Sequence, residues 1–288
     1  MYLLLSDLQD SFCERIRALL VQKGYEARVI SDVMRKPFHF VWRFDSLRSN
    51  SRLVFEDGRT LSDKEIEGVL VRMPGRVARD FWEPEDMPYP DEEAHAALIG
   101  WLWTLDCPVV NRCPPPFWFC PGAPVHFWQR IFERSGLQAF DFLLTNVEEE
   151  RRVFDAELGG QSIVMPLTHA ARQLLNQPDQ ISQNISLNSM PAHLIQGGAG
   201  LRWVCVVGPH VIWDGPACSG AEELESSLRK CSALSRLTFL ELAIAYTASG
   251  LRVAAIDPYP ALKSFGEAAQ REITSLVVEV LTGVLRTV

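Results

Sequence analysis

The stretch from residue 160 to 168 reads Gly-Gln-Ser-Ile-Val-Met-Pro-Leu-Thr, and it decides how the rest of the chain is interpreted. Its middle residues, 162–165, form a short apolar run between a glycine pair and a proline. A short apolar run with such boundaries predicts a buried strand that is closed by a turn. Met165 ends this strand, and its neutral thioether is a side chain that mostly fills space in proteins.

Composition limits the classes of protein that fit. A chain of 288 residues that is 47% hydrophobic can bury a large core, in one large domain or in a few smaller ones. Its net charge of −8 disfavours nucleic acids and anionic membrane surfaces as partners. No apolar run approaches the roughly 20 residues of a membrane span, and the N-terminus predicts a buried strand rather than a signal peptide. Seven cysteines without Cys-x-x-Cys spacing are typical of reduced thiols, so we expect a cytoplasmic protein.

The N-terminal part of the sequence alternates strand and helix patterns, which predicts a parallel sheet. The predicted elements are strands at 2–6, 26–30, 68–73 and 107–111 and helices at 8–22 and 91–105. A segment rich in proline and aromatic residues at 112–124 ends this first domain. Further on, residues 146–157 are acidic and polar and receive no predicted element.

Three arginines, Arg72, Arg76 and Arg79, lie at or after the end of the strand predicted at 68–73. Open α/β sheets bind ligands at the carboxyl ends of their strands, so these arginines are candidates for binding an anion or a peptide carboxylate. The alternative is that all three are solvated and paired with the acids of 80–85, and the sequence leaves both interpretations open.

Several segments together resemble the RimK-like branch of the ATP-grasp ligases, and within it the enzymes that crosslink side chains of ribosomal peptides. They are Gly-Val-Leu-Val-Arg-Met-Pro at 68–74, Leu-Asp-Cys-Pro-Val-Val-Asn at 105–111, Gln-Arg-Ile-Phe-Glu-Arg-Ser-Gly-Leu at 129–137, Phe-Leu-Leu-Thr-Asn at 142–146, a strand and hairpin at 198–213, and a late helix and strand within 231–257. The resemblance implies an α/β protein with a pre-ATP-grasp parallel-sheet domain at 1–115 and an α+β ATP-grasp-like domain at 116–288. Ligases of this family use ATP and magnesium to phosphorylate a carboxylate, and an amine or hydroxyl then displaces the phosphate.

By this resemblance, Met165 holds the position of a lysine that binds the phosphates of ATP in the family. A second such lysine would fall near 122–123, and no lysine occurs between Lys64 and Lys230. ATP brings several negative charges into a partly dry cleft, where cations must offset them. Because both lysines of the family are missing here, we expect weak or no magnesium-dependent binding of ATP.

Other candidate nucleotide contacts come from the same resemblance. Arg202 matches the arginine of the family, unless a shift of one residue gives that place to Trp203 and so turns Arg202 to the other face of its strand. His193 lies in the segment that matches the adenine hinge, which here has no acid. Arg172 lies in a stretch rich in Gln, Asn and Ser, 169–190, and is the nearest arginine that could replace a missing lysine.

The metal ligands implied by the resemblance are acids near the C-terminus. Asp257 would be the first magnesium carboxylate. Glu267 would be the second if another strand follows, and Ala269 would then hold the place of an asparagine ligand. In the shorter alternative that strand is deleted, and the chain from Ala268 onward is already the last helix.

Two hypotheses follow, and no catalytic residue can be named for either. In the first, the chain is a degenerate ATP-grasp homologue without a cofactor that binds a peptide or a partner protein, with a monomer or a homodimer left open. In the second, it is an active carboxylate-amine or carboxylate-alcohol ligase that uses ATP and magnesium. Arg202 would then steady the phosphates, and Asp257 and Glu267 would hold the metal.

Overall fold

A computed structural model describes residues 1–6, 10–31, 39–44, 49–72, 88–112, 125–160, 162–165, 192–196, 201–216, 221–247 and 250–285. The chain forms two compact units. Unit 1 comprises Met1–Phe119, Arg236–Phe239 and Gln270–Val288, and unit 2 comprises Cys120–Ser235 and Leu240–Ala269. The assignment of 1–115 and 116–288 to two functional domains stays a prediction. Within the described ranges, no helix has the length and apolar character needed to cross a membrane.

Unit 1 is built on a four-stranded parallel sheet. The elements of its first segment are β1 (Tyr2–Ser6), α1 (Ser11–Gln22), β2 (Ala27–Ser31), β3 (His39–Phe44), β4 (Ser49–Val54), β5 (Thr60–Ser62), β6 (Gly68–Val71), α2 (Pro88–Thr104) and β7 (Val109–Val110). The parallel strands have the order β2-β1-β6-β7, and β3, β4 and β5 form a separate antiparallel sheet. β1 and β6 are buried along their whole length, which explains their nearly continuous apolar sequences.

Two antiparallel sheets occur in the second half of the chain. The elements are α3 (Val125–Ser135), β8 (Phe142–Thr145), α4 (Glu148–Glu157), β9 (Ser162–Met165), β10 (Ala192–Gln196), β11 (Leu201–Val207), β12 (His210–Trp213), α5 (Ala221–Ser235), β13 (Phe239–Thr247), β14 (Gly250–Asp257) and α6 (Glu267–Leu281). One sheet has the order β8-β10-β9 and the other β12-β11-β13-β14. Parallel and antiparallel sheets with intervening helices confirm the predicted α/β fold class.

The first helix begins where a side chain caps it. The carboxylate Oδ1 of Asp10 accepts hydrogen bonds from the backbone N–H groups of Phe12 and Cys13, at 2.9 and 3.4 Å. These bonds satisfy two of the donors that every helix leaves open at its first turn. α1 therefore starts at Ser11 instead of at the predicted residue 8, and Asp10 is fixed beside the carboxyl end of β1.

Candidate functional site

At the carboxyl end of the parallel sheet lies a group of side chains that we call the carboxyl-edge cluster: Asp10, Phe12, Arg72, Asn111 and Phe239. The guanidinium Nε of Arg72 donates a hydrogen bond to Oδ2 of Asp10 at 2.8 Å. The guanidinium carbon lies 5.4 Å from the ring centre of Phe12 and 6.0 Å from that of Phe239. Arg72 is only 5% exposed, so the alternative of a solvated arginine is wrong for this residue. The binding of an anion or a peptide carboxylate by Arg72 stays a prediction.

The ion pair between Asp10 and Arg72 sets the charge state of this edge. Burial alone would raise the pKa of Asp10. The positive charge of Arg72, its hydrogen bond and the two backbone N–H groups at the start of α1 outweigh that effect, and they hold the pKa of Asp10 below its ordinary value. Asp10 is therefore ionised at neutral pH and balances the guanidinium charge.

Asn111 ties the end of β7 to the beginning of β13. Its side-chain Nδ2 donates to the carbonyl oxygen of Phe239 at 2.6 Å, and its Oδ1 accepts from the N–H of Phe239 at 2.8 Å. The amide thus gives the N–H and the carbonyl oxygen of Phe239 the hydrogen bonds that a neighbouring strand would otherwise supply. Asn111 is fully buried and has a φ of 57°, a left-handed conformation that asparagine adopts more readily than most residues.

The predicted nucleotide contacts Met165 and His193 lie on neighbouring strands. They are direct register partners in the antiparallel pair of β9 and β10. The three strands of this sheet have the sequences Phe-Leu-Leu-Thr, Ser-Ile-Val-Met and Ala-His-Leu-Ile-Gln. None of them carries a lysine or an arginine, so the sheet supplies no permanent positive charge for a polyphosphate.

Arg202 lies at the second position of β11 and is exposed. Its Nη1 donates to the backbone oxygen of Asp214 at 3.3 Å, across the hairpin that β11 forms with β12. The next residue, Trp203, is partly buried, and its backbone oxygen accepts from the N–H of Asp214 at 2.8 Å. Which of the two side chains takes the place of the family's arginine stays open, since alternate residues of a strand point to opposite faces.

Two buried acids, Glu241 and Asp257, are register partners in the antiparallel pair of β13 and β14. Residues directly opposite each other in such a pair lie on the same face of the sheet. Glu241 is 0% exposed and Asp257 is 9% exposed. The N–H of Leu262 donates to Oε2 of Glu241 at 3.3 Å, and the N–H of Tyr259 donates to Oδ1 of Asp257 at 2.8 Å. Each carboxylate therefore accepts a backbone hydrogen bond from the segment that follows β14.

The second predicted metal ligand, Glu267, is the first residue of α6 and is exposed. No strand is present between Asp257 and Glu267, so the prediction that a strand carries Glu267 is wrong. The role of Glu267 as a metal ligand, and the deletion of a strand of the family, stay predictions. Among the described residues, no three His, Cys, Asp or Glu side chains are grouped closely enough to hold a metal ion. The pair of Glu241 and Asp257 still fits one magnesium ion, which commonly takes one or two carboxylates and keeps other ligand positions for water or phosphate.

Three predicted site residues, Arg76, Arg79 and Arg172, lie outside the described residues, and their roles stay predictions. Two residues at the candidate sites were missed from the sequence. Glu241 could have been noticed as the single charge in the apolar run Phe-Leu-Glu-Leu-Ala-Ile-Ala of β13. Asn111 gives no comparable signal, because its partner Phe239 is 128 residues away.

Comparison with known proteins places the fold. The sequence matches no protein-family model and no curated protein. Similar solved structures span nearly the whole chain. Macrocyclase MdnC from Microcystis aeruginosa MRC, bound with precursor peptide MdnA, has a TM-score of 0.72 and 12% identity and covers 98% of this chain and 100% of its own. The ATP-grasp ligase PsnB, complexed with a phosphomimetic variant of its minimal precursor, Mg and ADP, has a TM-score of 0.71 and 18% identity and covers 98% and 97%. An ATP-grasp RimK domain protein from Sphaerobacter thermophilus DSM 20745 has a TM-score of 0.56 and 13% identity and covers 97% and 98%.

At these identities the likeness concerns the fold. The chain has the ATP-grasp fold, which it shares with these three proteins. The fold predicted from the resemblance is therefore confirmed.

Proposed function

We propose that this chain is a cytoplasmic peptide-binding protein that has kept the ATP-grasp fold and lost ATP-dependent ligation. The observation that carries the proposal is the composition of the sheet β8-β10-β9, whose strands contain no lysine or arginine. Met165 occupies the strand end where the family places a phosphate-binding lysine, and His193 is its register partner.

The energetic argument concerns the charge of ATP. Hydrogen bonds to charged groups contribute about 1.5–3 kcal/mol each, so losing two lysine contacts weakens nucleotide binding by about 3–6 kcal/mol. This corresponds to a loss of affinity of roughly 10²- to 10⁴-fold. Arg202 alone does not offset that loss, since its exposed guanidinium is screened by water.

A peptide is proposed as the partner because MdnC and PsnB, which share the fold, were each solved with a precursor peptide. In this chain the carboxyl end of the parallel sheet in unit 1 is the proposed contact region. Open sheets of this kind commonly bind ligands there. Arg72 lies at that edge, and Arg76 and Arg79 follow it in the sequence.

The loss of nucleotide binding is tested by adding back one charge. Calorimetric titration with ATP and magnesium is expected to give no saturable binding for the wild type. Met165→Lys is expected to bring measurable affinity, because an ammonium group then meets the phosphates, whereas the control Met165→Leu is expected to change nothing. Equal affinities for the wild type and Met165→Lys in the micromolar range would reject the proposal.

Peptide binding is tested separately with an mRNA-display library of random peptides. Enriched peptides are expected to bind the purified chain without ATP, and Arg72→Lys is expected to weaken them. A library that yields no enriched sequence would contradict the choice of partner.

One observation favours the second candidate, an active ATP-dependent carboxylate ligase. Glu241 and Asp257 lie opposite each other, and two carboxylates suit a magnesium ion that also binds phosphate. The strands of β8-β10-β9 carry no cation for the rest of a triphosphate, so the two carboxylates support the metal part of this candidate only, and the nucleotide part lacks its counter-charges. Micromolar binding of ATP with magnesium that disappears in Glu241→Gln and in Asp257→Asn would support this candidate.

A further inference from the structure

An exposed tryptophan on the surface of unit 1 is accompanied by two arginines. Trp103, in the last turn of α2, is 44% exposed, although tryptophan is a highly buried residue type on average. The guanidinium carbon of Arg112 lies 5.7 Å from the centre of the Trp103 ring, and that of Arg236 lies 5.9 Å from it. All three residues belong to unit 1, and we call them the Trp103 patch. Tryptophan and arginine are among the residues most enriched at the energetic centres of protein interfaces, so this composition is typical of a binding surface.

The two arginines of the patch have no carboxylate partner. Among the residues that the structure describes, no ion pair includes Arg112 or Arg236. Nη2 of Arg112 donates instead to the carbonyl oxygens of Leu105 and Cys107, at 2.9 and 3.4 Å, which fixes the orientation of its guanidinium. Burial lowers the pKa of Arg112 below its ordinary value, and the nearby Cys107 and Asp106 oppose this shift only in part. A partly desolvated guanidinium without a counter-charge favours the approach of an anionic group.

The backbone of Arg236 gives a second reason to assign a role to its side chain. Arg236 directly follows α5 and has a φ of 58°, a left-handed conformation. Glycine is the residue preferred at this position after a helix, since it has no Cβ atom to clash with the backbone. The side chain of Arg236 is exposed, and among the described residues its one interaction is the weak contact with the Trp103 ring. An arginine at this position is therefore better explained by contact with a partner than by the stability of the chain.

We propose that the Trp103 patch binds an acidic segment of a partner protein. Carboxylates of the segment accept hydrogen bonds from the guanidinium groups of Arg112 and Arg236, and its apolar atoms pack on the exposed part of the indole ring. A nucleic acid fits less well, because the chain has a net charge of −8 and two arginines offset only two phosphates. The proposal is independent of the proposed function, whose contact region is the edge of the sheet around Arg72.

The experiment measures the fluorescence anisotropy of a labelled ten-residue oligoglutamate that is titrated with the full chain at low ionic strength, where charge interactions are least screened. Saturable binding is expected for oligoglutamate, whereas oligoglutamine and oligodeoxythymidylate of the same length are expected not to bind. Trp103→Ala is expected to weaken the binding of oligoglutamate roughly tenfold, because it removes the aromatic surface at the centre of the patch.

A second variant, Arg236→Gly, separates binding from stability. Glycine suits the left-handed backbone, so this variant is expected to unfold at or above the wild-type midpoint in a thermal scan. It is expected to bind oligoglutamate about two- to fivefold more weakly, because one exposed charge contact is lost. The matched control, Arg59→Gln, removes one positive charge from an exposed arginine elsewhere in unit 1 and is expected to leave the affinity unchanged.

The proposal is wrong if oligoglutamate binds no better than oligoglutamine, if Trp103→Ala binds as the wild type does, or if Arg59→Gln weakens binding as much as Arg236→Gly. Tighter binding of oligodeoxythymidylate than of oligoglutamate would also overturn it, in favour of a nucleic acid. Should Trp103→Ala fail to fold, Arg236→Gly alone decides. Binding of oligoglutamate that Arg72→Lys leaves unchanged, with no peptide enriched from the random library, would keep the Trp103 patch and reject the proposed function. Enriched peptides without any binding of oligoglutamate would do the reverse.

Discussion

Asp10 has two roles at the start of α1, because one oxygen caps the helix and the other pairs with Arg72. Asp10→Ala removes both interactions and leaves a guanidinium that is almost fully buried without its counter-charge. We expect a loss of about 3–5 kcal/mol in the free energy of unfolding of unit 1, measured by urea denaturation. Asp10→Asn keeps the capping oxygen but loses the counter-charge, so it should retain most of this loss, and the difference between the two variants reports the cap. An Asp10→Asn variant as stable as the wild type would contradict the role of the ion pair.

The same carboxylate makes the stability of unit 1 depend on pH in acid. The pKa of Asp10 is lower in the folded chain than its ordinary value of 3.8, so its contribution is fully present above that value. As the pH falls through the lowered folded pKa, the carboxylate is protonated and the contribution is lost. Urea denaturation from pH 7 to pH 2 should show a steeper fall for the wild type than for Asp10→Asn. Parallel curves would show that Asp10 is not involved.

Arg72 shows how far the sequence alone predicts the position and the partner of a single residue. Its position at the end of a strand was predicted, because an apolar run that stops at an arginine marks a sheet edge. Its partner was not, because the predicted acids were those at 80–85 and Asp10 is 62 residues away. Pairing across the sheet depends on strand order, which no local pattern encodes.

Gly68, the first residue of β6, provides a test of packing between elements. A Cβ atom at this position would lie 2.7 Å from the carbonyl oxygen of Leu281, at the end of α6, and 2.9 Å from the Tyr2 ring. Gly68→Ala should therefore cost about 1–3 kcal/mol in the free energy of unfolding, because a backbone atom must shift.

The control for this prediction is Gly266→Ala. A Cβ atom at Gly266 would have no neighbour within 4 Å. Since Gly266 precedes α6 and alanine is a poorer cap than glycine, a cost of up to about 1 kcal/mol is expected. A cost for Gly68→Ala that is no larger than that of the control would contradict the close approach of β6 and α6.

The helices and strands differ in how well they could be predicted from the sequence. β1 and β6 were predicted because their apolar runs match the burial of a parallel sheet. α4 was missed, because it buries no residue and most of its residues are charged. Its ion pairs explain why it forms: Glu148 lies near Arg151 and Arg152, at spacings of three and four residues on the helix. Acidic residues in its first turn add to that stabilisation.

At the scale of the whole molecule, the alternation of strands and helices was enough to predict a parallel sheet in the N-terminal part, because layered packing leaves few solutions for such a pattern. The fold class of the whole chain followed from the resemblance to the ATP-grasp ligases. The pairing of the two buried acids Asp257 and Glu241 could not be predicted from such a pattern. Asp257 was expected to be the first metal carboxylate, and its neighbour Glu241 lies on β13, a strand that the sequence analysis did not separate. Only the antiparallel register of β13 and β14 brings the two together.

The central claim is that the ATP-grasp fold persists in this chain without the cations that bind a nucleotide. Calorimetric titration of the full chain with ATP and magnesium tests it most directly. The account predicts no saturable heat up to millimolar ATP. A dissociation constant in the micromolar range that is lost in Glu241→Gln and Asp257→Asn would contradict the account and identify an active nucleotide site.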